Sequence, residues 1–206
     1  MVRLITTVRH AATGNASRRV ISGTLDEPLS EVGRGQARAF VERFGHLRAD
    51  VVVSSPLSRS LETARALTGL GDDRIERWKS CMERDYGLLQ GIPPDEVATW
   101  RSRIRYVSAG GIDHSVNPPE GETLGQVRAR ARRVAARLLA RPEDSILVFS
   151  HQTLIQQLIG ILTGQSLLEA LAIDIAVLQV DAFDVDAGLP ATWRPVHPGE
   201  RSLVSW

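Results

Sequence analysis

The chain opens on an apolar, β-branched run, Leu4-Ile5-Thr6-Thr7-Val8, which stops abruptly at Arg9-His10 and passes into Ala11-Ala12-Thr13-Gly14-Asn15. Such runs, bounded by turn residues, predict a buried strand. The pattern recurs twice. Val51-Val52-Val53 leads into Ser54-Ser55-Pro56-Leu57-Ser58-Arg59, and Ser145-Ile146-Leu147-Val148-Phe149 leads into Ser150-His151. Between these strands the period becomes helical. Ser30 is placed to cap a helix with Glu31 in its first turn and Val32, Ala37, Val41, Phe44 and Leu47 as its apolar positions. A second helix starts at Ser58 or Ser60 and continues to Leu67. Thr123 caps a third, with Leu124, Val127, Ala131, Val134 and Leu138 on one stripe. Residues 153–163 are helical and mostly apolar, hence buried, and residues 175–185 alternate as a final edge strand would. Strands alternating with helices predict an α/β fold with a mostly parallel sheet covered on both faces.

The remaining stretches are less regular. Residues 13–27 form a polar loop, a length that in compact domains serves function or mobility. Residues 69–79 read as a connector. Residues 92–122 carry four prolines and the pair Gly110-Gly111, and their middle, 95–107, predicts a helix with Val97, Trp100, Ile104 and Val107 on one face. This segment reads as an excursion over the sheet edge, a lid or specificity segment. Arg128, Arg130, Arg132, Arg133 and Arg137 lie opposite the apolar stripe of their helix and read as a solvated face. The tail from Gly188 is expected to pack loosely. No repeat or linker divides the chain, so a single domain over residues 1–206 is expected.

Composition narrows the function. The chain has 206 residues, 43% of them hydrophobic and 24% charged, ordinary globular values with room for one sizeable core. A formal net charge of +1 provides no field to draw the chain to nucleic acid or an anionic membrane. No apolar run approaches the ~20 residues of a membrane span. Only Arg3 precedes the first apolar run and no small-residue cleavage site follows, so no signal peptide is expected. The lone Cys81 fits a reducing compartment. A soluble cytoplasmic domain is the expectation.

The candidate chemistry lies at the strand ends. An unpaired buried charge is costly, so a cationic pair closing a strand belongs at the carboxyl edge of the sheet, where open α/β sheets place ligands. If the three strands are parallel and adjacent, His10, His151, Arg9 and Arg59 meet there and suit a phosphoryl group. His46, His114 and His197 lie outside this pattern and read as surface or capping residues. A metal centre is disfavoured: there is no His-Glu-x-x-His, no paired cysteine and no carboxylate cluster, and two arginines repel a divalent cation. Phosphoryl transfer instead needs positioning and charge balance, work for guanidinium forks and imidazoles. A neutral imidazole can attack phosphorus in line and form a phosphohistidine. The departing alkoxide then needs a proton, and Glu83 in Glu83-Arg84-Asp85-Tyr86-Gly87 is a candidate donor, or a surface carboxylate paired with Arg84.

These residues resemble the histidine phosphatase (phosphoglycerate mutase-like) superfamily. Val8-Arg9-His10, Asp26 with Pro28-Leu29-Ser30 and Gly33, and Gln36-Ala37 are similar to its opening. Ser54-Ser55-Pro56-Leu57-Ser58-Arg59 with Glu62-Thr63-Ala64 is similar to its second block. Glu83-Arg84-Asp85-Tyr86-Gly87 with Gly91, then Pro119-Glu120-Gly121-Glu122-Thr123, then Val148-Phe149-Ser150-His151 complete the set in order. The resemblance implies a three-layer α/β/α sandwich and a mechanism needing no cofactor. It makes His10 the nucleophile, Arg9, Arg59 and His151 the phosphoryl contacts, and Glu83 the general acid and later the base. Asn15 and Arg19 are further phosphate-contact candidates, with Arg18 able to take the place of Arg19, and Arg84 and Tyr86 are substrate-contact candidates. Ala11 and Ala12 stand where the family usually has glycine and then an acidic or amide residue. Gln152 replaces a common glycine and is placed to enter the pocket. The expectation is an active enzyme with altered substrate preference.

The leading expectation is a metal-independent phosphomonoesterase for a small phosphorylated metabolite. The alternatives are a phosphoglycerate-type mutase, disfavoured because such mutases are generally longer, and a non-catalytic phosphate-binding regulator, for which a proton donor would be superfluous. Specificity is expected in residues 92–122, where Trp100, Arg101, Arg103, Arg105 and Tyr106 offer stacking and anion contacts or form an ordinary amphipathic helix. A homodimer through the final strand and the tail is possible by this reading.

Overall fold

A computed structural model describes residues 3–196 of the chain. In order the elements are β1 (Leu4–Arg9), α1 (Gly14–Ser17), α2 (Glu31–Phe44), β2 (Val51–Ser54), α3 (Ser58–Thr68), β3 (Ile75–Arg77) and α4 (Pro94–Thr99). They continue with β4 (Tyr106–Ala109), β5 (Ile112–Ser115), α5 (Leu124–Leu139), β6 (Ser145–Ser150), α6 (Gln152–Leu162), α7 (Leu167–Leu171), β7 (Val180–Asp184) and β8 (Thr192–Val196). Six strands form one sheet in the order β3-β2-β6-β1-β7-β8. β3, β2, β6 and β1 run parallel, and β7 and β8 are added antiparallel.

The three strands singled out by sequence are therefore adjacent, with β6 in the middle. Side chains alternate across the sheet, and both faces are buried. Ile5, Val53, Ile146 and Val148 pack on one side with Ala131, Val134 and Leu138 of α5 and Leu154, Ile155 and Leu158 of α6. Val8, Val52, Leu147 and Phe149 pack on the other with Ala37 and Phe40 of α2 and Leu61, Ala64 and Leu67 of α3. The result is a three-layer α/β/α fold. Both anticipated caps form. Ser30 Oγ accepts from Gly33 N, and Thr123 and Gln126 make a reciprocal capping box.

Several expectations are corrected. The 95–107 segment is not one helix: α4 stops at Thr99, a 3-10 turn follows, and β4 and β5 make a separate hairpin. Its strands are four residues long and largely polar, so no alternation marks them. Residues 69–79 hold β3, and β7 is an interior strand because β8 pairs with its outer edge. Val32 is 67% exposed, since α2 turns its Ala37 and Phe40 face inward. The arginine face of α5 is only partly solvated. Arg128 is buried with its guanidinium on the Gln157 and Gln165 carbonyls, and Arg130 is turned into the structure. His197 and the end of the tail lie outside the described residues.

Candidate active site

Strand register brings the two histidines together. Arg9 is opposite Ser150, so His10 and His151 are the first residues beyond a paired position, and His10 N donates to the Ser150 carbonyl at 3.1 Å. Neighbouring strands lie about 4.8 Å apart, and the ring centroids are 5.0 Å apart, tilted by 59°. β2 ends level with Phe149 and turns into α3, whose second residue is Arg59. Asp26 fixes that turn by accepting from Ser58 N and Ser58 Oγ at 2.6 and 2.9 Å.

The loop after His10 is held by backbone contacts. Ala11 N donates to Thr63 Oγ1 and Ala12 N to Gln36 Oε1, each at 3.1 Å. The Ala12 carbonyl accepts from Ser30 N and Oγ. It lies so close to α2 that a Cβ on Gly33 would meet its oxygen at 2.0 Å. His10 Nδ1 is 2.7 Å from the Ala11 carbonyl. A carbonyl only accepts, so Nδ1 carries the proton and Nε2 keeps its lone pair. Burial, with Arg59 and then Arg9 adding repulsion against the Ala11 carbonyl's opposing pull, lowers the His10 pKa to about 3. His151 is fully buried, and burial followed by His10 and Arg59 pushes its pKa well down.

The guanidinium groups are tethered but not exhausted. Arg59 Nη1 and Nη2 donate to the Leu25 and Gly23 carbonyls at 2.8 and 2.6 Å, and Arg9 Nη1 donates to the Ile175 carbonyl. Among the described residues, Arg9 Nε, Arg59 Nε and both His151 ring nitrogens are buried without a hydrogen-bond partner. Buried donors ordinarily find partners. Neutral His151 has one N–H, so three unpartnered donors and two permanent positive charges gather beside the His10 lone pair, a setting suited to an oxyanion.

Glu83 faces the same space. Its Oε2 accepts from Thr153 N at 3.2 Å and its Oε1 from Arg84 N at 2.7 Å, so the carboxylate caps the amino end of α6. Thr153 also meets the Tyr86 hydroxyl at 3.2 Å. The Glu83 loop is braced by Arg130, which clasps Glu122 with two nitrogens at 2.9 and 2.6 Å and donates to the Ser80, Met82 and Glu83 carbonyls.

A cavity of about 580 Å³ opens here, lined by Arg9, His10, Arg59, Glu83, Arg84, Tyr86 and Gln152 among the anticipated residues. Arg84 reaches it while directing Nε and Nη2 to the Glu122 and Val116 carbonyls. Asn15 and Arg19 are outside the lining, and so is the fully buried His151, which lies next to His10 with ring centroids 5.0 Å apart. Asn15 Oδ1 is taken by Arg18 at 2.5 Å, and Arg19 is exposed with φ +56°. His114, read from sequence as a surface or capping residue, is half-buried in the cavity wall, because the hairpin carries it there. Sequence gave no signal for it. Thr153 and Thr63 were within reach, one following His151 at a helix start and the other lying one turn after Arg59.

A sequence model described as histidine phosphatase superfamily (branch 1) matches residues 5–194. The chain belongs to that superfamily. Among its relatives, a 2,3-bisphosphoglycerate-dependent phosphoglycerate mutase of Methylobacterium radiotolerans is 31% identical over 206 aligned residues, covering 94% of this chain and 90% of that protein. Fructose-2,6-bisphosphatase TIGAR of Xenopus tropicalis is 37% identical over 133 residues, 62% of this chain but 46% of the relative. The chain thus spans about half the length of the TIGAR relative. The structure of mycobacterial glucosyl-3-phosphoglycerate phosphatase complexed with VO3 superposes with a TM-score of 0.72 at 25% identity, covering 95% of this chain and 98% of that one. Histidine phosphatases of this branch thus provide the frame for the site, and among the described residues no helix is long and apolar enough to cross a membrane.

Proposed function

We infer that the chain is a phosphomonoesterase that works through a covalent phosphohistidine on His10. One observation carries the reading: three buried, unpartnered N–H donors, one each on Arg9, Arg59 and His151, lie beside a histidine whose neighbouring carbonyl leaves its Nε2 lone pair free. In the first step Nε2 attacks phosphorus in line, and the P–O bond to the alcohol breaks as the P–N bond forms. Glu83, oriented by the Thr153 and Arg84 amides, gives its proton to the departing oxygen. In the second step Glu83 takes a proton from water, water oxygen attacks phosphorus, and the P–N bond breaks to release inorganic phosphate. Arg9, Arg59 and His151 balance the charge on the three equatorial oxygens in both steps.

The match to a phosphoglycerate mutase over 90% of its length supports a second reading, since chain length does not separate the two activities. In a mutase the alcohol is held while the phosphoryl group returns to another hydroxyl. Turnover of p-nitrophenyl phosphate in excess EDTA, compared between the native chain and His10→Ala, tests the leading reading. The expected result is chelator-resistant release of phosphate that disappears in His10→Ala, with a trapped, acid-labile phosphoprotein only in the native chain. Activity that survives His10→Ala refutes the site. Activity stimulated by a bisphosphate, with phosphate moved between hydroxyls rather than released, favours the mutase.

A further inference from the structure

Beyond the phosphate cradle, the cavity has a distinct character. Its lining includes Val20, Ile21, Leu89, Val97 and Tyr106, together with the exposed Ile112. Ile112 is 59% exposed and extends the apolar lining toward solvent. The cationic groups that reach this part of the cavity already hold protein partners. Arg101 pairs with Asp113 at 2.6 Å and stacks 5.0 Å from the Tyr106 ring, while Asp113 also accepts from Ser108 Oγ. Arg84 is buried with two of its nitrogens on backbone carbonyls, and His114 Nε2 sits 3.3 Å from the Ala109 carbonyl. Among the described lining residues, the cationic donors that are buried without a partner are those of Arg9 and Arg59, which the transferred phosphoryl group occupies.

We propose that the substrate carries a single phosphate on an uncharged alcohol with an apolar or aromatic face, which lies against the apolar lining of Val20, Ile21, Val97 and Tyr106. This rests on the phosphomonoesterase reading and names its substrate class. A second phosphate or a carboxylate on the leaving group would have to draw Arg101 from Asp113 or Arg84 from its carbonyls, and desolvating an anion without such a partner is costly. An apolar face instead covers Ile112 and Tyr106, gaining area removed from water. At about 580 Å³ the cavity is also far larger than a three-carbon phosphoester needs and lies in the range of drug-sized ligand sites.

The test compares alkyl esters, whose leaving groups are of similar basicity, so that differences report binding of the alcohol rather than bond strength. kcat/KM is measured for 2-phenylethyl phosphate, glycerol 3-phosphate, 3-phosphoglycerate and 2,3-bisphosphoglycerate, in the native chain and in Val97→Asp. The expected result is a kcat/KM for 2-phenylethyl phosphate about a hundredfold above that for either anionic ester. Val97→Asp should lower it about tenfold more than it lowers glycerol 3-phosphate. Equal or higher kcat/KM for an anionic ester, abolished by His10→Ala, overturns the inference and leaves the phosphatase reading standing. So does an equal loss for both neutral esters in Val97→Asp. No turnover of any monoester overturns both.

Discussion

At the residue scale, the proposed nucleophile and the proposed proton donor differ in the hydrogen bonds each makes. The Ala11 carbonyl fixes the tautomer of His10, and two amides hold the Glu83 carboxyl. Removing the donor should matter most where the leaving group is poor. Glu83→Ala is expected to slow hydrolysis of an alkyl phosphate by about 10²–10⁴-fold and p-nitrophenyl phosphate much less, because p-nitrophenolate departs without help; matched kcat values for the two esters check this. His10 also makes stability depend on pH. Its folded pKa of about 3 lies below the ordinary value of 6.5, so between these values the unfolded chain binds a proton that the folded chain refuses. Stability is therefore full above about pH 6.5 and falls as pH drops toward 3. From His10 alone the loss between pH 7 and pH 5 is about 2 kcal/mol. Urea unfolding at the two pH values should show His10→Gln reducing the difference by about that amount, and an unchanged difference would sink the assignment.

At the element scale, the active loop containing Glu83 is positioned by a helix that does not line the cavity. Arg130 projects from α5, and its contacts with Glu122 and three backbone carbonyls hold residues 80–83 against the 122 segment. Both partners of the ion pair are mostly buried, with side-chain exposures of 14% and 16%. Substituting Arg130→Lys keeps one charge but loses the planar fork. It leaves Glu122 and the carbonyls short of donors, so a destabilisation of about 2–4 kcal/mol is expected. Urea denaturation measures it, and kcat should fall with KM little changed, since the phosphate cradle is built elsewhere. The same scale explains Gly33: α2 approaches the Ala12 carbonyl too closely for any Cβ.

Across the whole molecule, the site is where three parallel strands end at a common level. Charges gathered there repel one another until an anion arrives, so anion binding should couple to stability. Vanadate or inorganic phosphate at a hundred times its dissociation constant should raise the unfolding free energy by about 2.7 kcal/mol, read as a higher Tm, and Arg59→Ala should lose the rise. An unchanged Tm in the native chain would refute the cradle.

The sequence by itself determined the three strands, their helices and the strand-end residues His10, Arg9, Arg59 and His151, because local patterning states which residues must be buried, and a cation closing an apolar run must find carbonyls or an anion at the sheet edge. It also set Ser30 and Thr123 as caps, whose chemistry is local. It did not determine β3, β8 or the β4–β5 hairpin, whose short strands take their stability from neighbours rather than from their own pattern. Nor did it reveal that Arg128 and Arg130 turn inward, that His114 reaches the cavity or that Asn15 and Arg19 do not line it. Those facts depend on which carbonyls and carboxylates the remote segments present. Only the packed chain brings them within a few ångströms, and a long polar side chain goes where its donors are met.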